Sequence, residues 1–187
     1  KFGLGEKTGL ELVDENPGLI PSTEWKRRAF RDPGQQKWFP GETPSVSIGQ
    51  GAVSVTPIQM AVALSALVNG GHVLKPQIIK MIESSDAKLR DDTFKPQERR
   101  QTSLDPKVVD LVRRGLVGVV NDAGGTGGRA KLSPDLPIIV GGKTGTAQAA
   151  GDDARIGGKK IEDHAWFVAY APAEDPEIVA VALIEHG

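Results

Sequence analysis

The sequence predicts an α+β fold, a central antiparallel sheet covered by helices, and three observations carry that expectation. Two stretches, 56–69 and 106–120, repeat apolar residues at helical spacing behind capped starts. Two later stretches, DHAWFVAYAP and PEIVAVALIEHG, are short apolar runs joined around AEDP, a linker short enough for antiparallel neighbours. The chain has 187 residues, enough for one substantial buried core.

Residues 1–55 alternate short apolar pieces with Gly, Pro and charge and read mostly as loops. A short helix is expected at 22–30, with Ser22 as its cap and Trp25 and Phe30 touching a core. The rest of this stretch is either a surface excursion or the rim of a binding cleft, since long ordered loops are often functional. Residues 56–69, TPIQMAVALSALVN, form the clearest helix. Thr56 is the N-cap, Pro57 opens the first turn and Gln59 completes a capping box. Ile58, Met60, Ala61, Leu64, Leu67 and Val68 place apolar surface on more than one side, as a largely buried helix requires. Asn69-Gly70-Gly71 ends it. VLKPQIIKMI reads as two short extended segments broken at Pro76, and 83–100 as a polar surface excursion or hairpin.

The second helix runs from Pro106 to Val120 behind Asp105, with Val109, Val112, Leu116 and Val120 inward and Asp110, Arg113 and Arg114 toward solvent. Gly115 and Gly118 each weaken an isolated helix by about 1 kcal/mol relative to Ala, which suggests close packing against a neighbour. DAGGTGGRAK then breaks regular structure. LPIIVGGKTGTAQ is expected to be a short apolar strand entering a glycine-marked edge, followed by a polar loop, GDDARIGGKK. Both faces of the next strand, His164 to Pro172, are largely apolar, so helices should cover part of each.

Composition narrows the function. Lys and Arg number 23 against 24 acidic residues, giving a net charge of -1 and no broad basic field for nucleic acid. There is no cysteine, hence no disulfide, thiolate metal site or thiol nucleophile, and His72, His164 and His186 are too far apart in sequence to form a metal-ligand motif. No apolar run approaches the roughly 20 residues of a membrane span. The opening KFGLGEKTGLEL resembles neither a signal peptide nor a natural start, and reads as the middle of a longer protein.

Lys143-Thr144-Gly145-Thr146 is the most informative tetrapeptide. Lys143 places positive charge where an anionic substrate could sit, Thr144 and Thr146 offer hydroxyls, and Gly145 lets a substrate backbone approach without a Cβ. The two-residue period of a strand puts Lys143 and Gly145 on one side and Thr144 and Thr146 on the other. An exposed edge could pair with a peptide or stabilise an oxyanion; the competing reading is an ordinary solvent-facing edge. Pro137 stands where a phosphate loop needs Gly, and no dinucleotide fingerprint is complete. The second Lys-Thr-Gly, at 7–9, lacks a preceding strand and reads as a turn.

GKTGT at 142–146 followed by DHAWFVAYAP resembles the third active-site motif of penicillin-binding proteins and serine β-lactamases. SIGQG at 47–51 and TPIQMAVALSALVNGG at 56–71 are more selective and look like class B penicillin-binding proteins, the monofunctional D,D-transpeptidases. FGLGEKTGLEL and PSTEWKRRAF are most similar to the elongation-specific group of that family. The resemblance covers nearly the whole chain and implies the transpeptidase fold, incomplete here. All of 1–187 would be the C-terminal part of one domain, with the catalytic half upstream and a C-terminal helix downstream both missing.

The resemblance further implies peptidoglycan cross-linking through a serine acyl-enzyme, with β-lactams as covalent inhibitors. Lys143 would support proton traffic around the serine. Thr144 and Thr146 would hold the donor's terminal carboxylate, and the Thr146 N–H would join the oxyanion hole. Gly145 would keep the strand open, with Gly142 and Trp166 in support by packing. The family nucleophile lies in Ser-x-x-Lys, followed by Ser-x-Asn. Ser85-Asp86-Ala87-Lys88 matches the first pattern but sits in the polar excursion with no Ser-x-Asn after it, so no nucleophile is assigned within this chain and the segment alone is expected to be inactive. Neither metal nor organic cofactor is implied. The implied partners are stem peptides, the upstream part of the same protein, a polytopic glycosyltransferase and other elongation-machinery proteins. The implied location is the periplasmic face of the bacterial inner membrane, held by an N-terminal helix outside this chain. A catalytically inactive peptidoglycan-binding scaffold and a β-lactamase or sensor relative are the competing readings.

Overall fold

The computed structural model describes residues 1–83, 92–148, 155–156, 159–160 and 162–186. Ser85–Lys88 therefore lies outside the described residues, as does most of GDDARIGGKK.

In chain order the elements are helices α1 (Thr23–Ala29), α2 (Glu42–Ser47) and α3 (Pro57–Val68), strands β1 (His72–Lys75), β2 (Met81–Ile82), β3 (Asp92–Thr93) and β4 (Gln97–Gln101), helix α4 (Pro106–Asn121), and strands β5 (Gly141–Ala147), β6 (Arg155–Ile156), β7 (Lys159–Lys160), β8 (His164–Ala171) and β9 (Ile178–Ile184). The main sheet has the order β5-β8-β9, antiparallel throughout. β2 pairs with β3 and β1 with β4, both antiparallel, so the described ends of the expected polar excursion or hairpin are paired strands.

The caps act as the sequence requires. Ser22 accepts from the Trp25 N–H at 3.1 Å. Thr56 and Gln59 form the reciprocal capping box at 3.3 and 2.9 Å. The Gln59 amide is fully buried because it also donates to the carbonyls of Glu6 and Pro17, at 2.8 and 2.7 Å, pinning the opening loop to α3. Gly71 ends the turn after α3 at φ 96°, where a Cβ would lie 2.2 Å from the Thr102 carbonyl oxygen.

The core is layered. Leu64 and Val68 of α3 pack on Val168 and Tyr170 of β8, while Val120 of α4 packs with Val140 and Ala169 on the opposite face. The two helices thus supply the cover the apolar strand demanded.

Four expectations need correction. LPIIV is not strand: pairing begins at Gly141, because the partner strand runs into Pro172, which has no N–H to extend the ladder. Gly115 is not a close-packing position, since a Cβ there would meet nothing, and at Gly118 it would meet only the Asp122 side chain. The expected faces of α4 are also off: Val112 is exposed instead of inward, and Arg113 donates to the carbonyls of Ala173 and Glu174, at 2.6 and 3.1 Å, tying α4 to the β8–β9 turn. Trp25 and Phe30 join none of the three buried clusters and instead meet edge to face, 6.1 Å apart.

Candidate active site

β5 is the terminal strand of the sheet among the described residues, so one edge of Lys143–Thr146 has no strand beside it. Its register sets the faces. Lys143 lies opposite Val168 and Gly145 opposite Trp166, on the side that packs toward α3. Thr144 and Thr146 lie opposite Phe167 and Ala165, on the other side. The split expected from the two-residue period is present.

A cleft of about 490 Å3 opens along this strand. One wall is Lys143–Ala147 with Trp166 and Val168; the facing wall is Val46–Gly49 with Val53 and Val55, and Met60 also lines the cleft. The 1–55 excursion therefore does form the rim of a cleft. It is held there by a two-way bridge, Leu19 N–H to the Ser54 carbonyl at 2.6 Å and Ser54 N–H to Leu19 at 2.9 Å.

The candidate side chains differ in exposure and in their partners. Lys143 is exposed and its ammonium donates to the Thr144 carbonyl at 2.7 Å; among the described residues it meets no carboxylate. The Thr144 hydroxyl is 2.8 Å from that of Thr126, in the glycine-rich turn after α4. Sequence reasoning missed Thr126, because only tertiary contact brings DAGGTGG beside the strand. Thr146 and Gly145 are exposed. Gly142 is buried for packing reasons, since a Cβ there would lie 2.8 Å from the Phe167 ring. Trp166 backs Gly145, with its Cβ 3.4 Å from where a Gly145 Cβ would stand.

Among the described residues one serine, Ser47, reaches the cleft, and its hydroxyl donates back to the Thr43 carbonyl at 2.7 Å. The second Lys-Thr-Gly has a structural task. Thr8 is fully buried, its N–H and hydroxyl both donate to Glu15 Oε1, at 2.7 and 2.5 Å, and Gly9 N–H donates to Glu15 Oε2. No group of His, Asp or Glu able to hold a metal occurs among the described residues.

A helix-covered antiparallel sheet whose end strand carries Lys-Thr-Gly-Thr into an open cleft is the class of fold expected for a transpeptidase domain. The penicillin binding protein transpeptidase domain family matches residues 1–187, and the chain belongs to that family. It is 37% identical over 193 residues to the peptidoglycan D,D-transpeptidase MrdA of Haemophilus influenzae, covering 99% of this chain and 28% of that protein. It is 33% identical to the Escherichia coli K12 protein of the same name, covering 100% of this chain and 29% of the relative. The chain thus spans under a third of these curated relatives. Among solved structures, Pseudomonas aeruginosa PBP2 in complex with WCK 5153 superposes with a TM-score of 0.76 at 35% identity, over 100% of this chain and 37% of that one. Helicobacter pylori PBP2, solved in complex with MreC, gives 0.71 at 28% identity, over 99% of this chain and 30% of that one. The family and the PBP2 structures agree with the resemblance that the motifs carry.

Proposed function

We propose that this chain supplies one wall of the active site of a peptidoglycan D,D-transpeptidase. The observation that carries the reading is the open cleft along Lys143–Ala147, with Lys143 and Gly145 facing into it.

In the proposed reaction a serine hydroxyl from the upstream half attacks the carbonyl carbon between the two terminal D-alanines of a stem peptide. The acyl–serine ester forms, the peptide bond breaks, and D-alanine leaves with the proton on its amine. An amine of a second stem peptide then attacks the ester carbonyl, forming the cross-link amide as the acyl–serine bond breaks, and the proton that amine loses goes to the serine oxygen. Lys143 stabilises negative charge around that serine. The hydroxyls of Thr144 and Thr146 hold the donor carboxylate, and the Thr146 N–H donates to the oxyanion. Gly145 offers no Cβ to obstruct the peptide, and Trp166 and Gly142 hold the strand by packing. β-Lactams, as donor mimics, acylate the same serine.

The domain reading places residues 1–187 in a single transpeptidase domain whose first two motifs come from upstream, so this segment alone is inactive. Elongation-machinery proteins are the proposed partners, by analogy with the PBP2–MreC complex, together with a polytopic glycosyltransferase. No described helix is long and apolar enough to cross a membrane, and the proposed periplasmic placement rests on an anchor outside this chain.

The test is acylation of the full-length protein by a fluorescent penicillin, with peptide mapping of the labelled serine. Lys143→Ala and Thr146→Val should each lower the acylation rate by about 10²–10³ with an unchanged melting temperature. A properly folded protein that takes no label would favour the non-catalytic scaffold.

A further inference from the structure

Two of the three tryptophans and two of the five phenylalanines, Trp25, Trp38, Phe30 and Phe39, surround one hollow of about 240 Å3 outside the catalytic cleft. None of the four belongs to a buried cluster. Phe39 stays 49% exposed and Phe30 36%, a large apolar outlay for a surface loop with no core of its own.

The polar groups of the hollow are as specific as its rings. The Lys26 side chain is only 6% exposed. Its ammonium sits 4.5 Å from the centre of the Phe39 ring and donates to Glu42 Oε2 at 2.5 Å. The Phe39 N–H donates to the same oxygen at 2.6 Å. Both bonds fall on Oε2, which leaves Oε1 of a one-third exposed carboxylate to accept from a ligand. Because Lys26 and Glu42 cancel, the hollow offers no net charge to a phosphate or an acidic peptide. It suits a neutral ligand with apolar faces and hydroxyl or amide donors. The volume lies below that of pockets for drug-sized ligands, room for one ring and not for an extended chain.

We infer that this hollow is a saccharide subsite, taking an N-acetylhexosamine ring whose C–H face stacks on the aromatic side chains and whose N–H or hydroxyl donates to Glu42 Oε1. The hollow and the catalytic cleft share Val46, so a glycan held here would lie beside the strand at Lys143–Thr146. This last step rests on the transpeptidase reading, in which the peptide substrate hangs from such a glycan.

The experiment is saturation-transfer NMR of the full-length protein with chitotetraose, the β-1,4-linked tetramer of N-acetylglucosamine, beside penicillin acylation of the same samples. Acetyl methyl and ring C–H protons should saturate. Phe39→Leu, which removes the ring but keeps bulk, should weaken binding about tenfold, the order expected for a lost stacking contact and its ordering. Phe39→Tyr should restore it, and Glu42→Gln should weaken it while Ser133→Ala does not. Acylation should persist in the Phe39 variants. A wild-type protein that is acylated yet transfers no saturation, or a Phe39→Leu variant that binds as well as wild type, would overturn the subsite and leave the transpeptidase reading standing. Saccharide binding without acylation would do the reverse.

Discussion

Gly142 and Gly145 stand three residues apart on one strand and are glycine for different reasons. A Cβ at 142 would come within 2.8 Å of the Phe167 ring and 2.9 Å of the Val168 carbonyl, so Gly142→Ala should destabilise the domain by about 1–3 kcal/mol through overpacking. At 145 the nearest atom would be 3.4 Å away, an ordinary contact, and the added methyl would enter the cleft. Gly145→Ala should therefore leave the denaturation midpoint unchanged while slowing acylation, and the two variants measured together separate packing from substrate access. Thr126→Val removes the partner of the Thr144 hydroxyl. The expected result is a several-fold slower acylation, of the order of one hydrogen bond to a neutral group, with Thr126→Ser restoring the rate and stability unchanged in both. The Lys143–Thr146 half of this constellation was legible because a charged residue, two hydroxyls and a glycine occur together on a strand edge. Thr126 was not, and of the facing wall only the rim reading of 1–55 was available, since the places of Thr126 and Val46–Gly49 depend on contacts with residues far along the chain.

At the scale of elements, α3 carries the sheet. Leu64 is 7% exposed and packs with Val168 and Tyr170, so Leu64→Ala should cost about 2–5 kcal/mol in chemical denaturation, through lost transfer energy and the cavity left behind. This helix and α4 were readable to within a residue because caps, proline at the first turn and apolar period all agree. α2 was not. It has six residues, no side-chain cap bond at Gly41 and Pro44 as its third residue, and so short a run offers no apolar period to count. The start of β5 was misread for a different reason. Pro137–Val140 is apolar enough for a strand, but strand formation needs a partner with donors, and Pro172 removes one where the ladder would continue. Ile138 and Ile139 stay about 40% exposed, and Ile139 keeps a single backbone bond, from the Ala173 N–H at 2.8 Å. Gly115 and Gly118 mark a limit of propensity arguments: a glycine in a helix does not by itself mean a close neighbour.

The molecule as a whole divides by what holds it. The sheet and its two helices are held by apolar burial, whereas in the first 55 residues three carboxylates add to the Gln59 and Leu19–Ser54 hydrogen bonds. Glu42 is held below the ordinary carboxylate value of 4.5 by the Lys26 hydrogen bond and, next, by the Phe39 N–H. Glu11 is lowered by its bond to Lys75 and that ammonium's charge. At Glu15 desolvation pushes upward, and the bonds from Thr8 and Gly9 outweigh it, so the net direction is again down. In each case the unfolded chain binds its proton at higher pH than the folded one. The stabilisation is therefore complete above 4.5 and disappears as the pH falls through the lowered folded values. The loss should be local. Glu11 ties the opening segment to β1, Glu15 folds that segment on itself, and Glu42 ties α1 to the start of α2, while β5, β8 and β9 depend on none of them. Hydrogen exchange of the full-length protein from pH about 7 to about 3, corrected for intrinsic rates, should show protection in residues 1–55 falling first and that of β8 persisting. In Glu42→Gln the α1–α2 part of that loss should already be present at neutral pH and should no longer change with acid. Simultaneous loss across rim and sheet would mean that the carboxylates anchor the core as well, and that the cleft's two walls open together instead of one moving against a fixed strand.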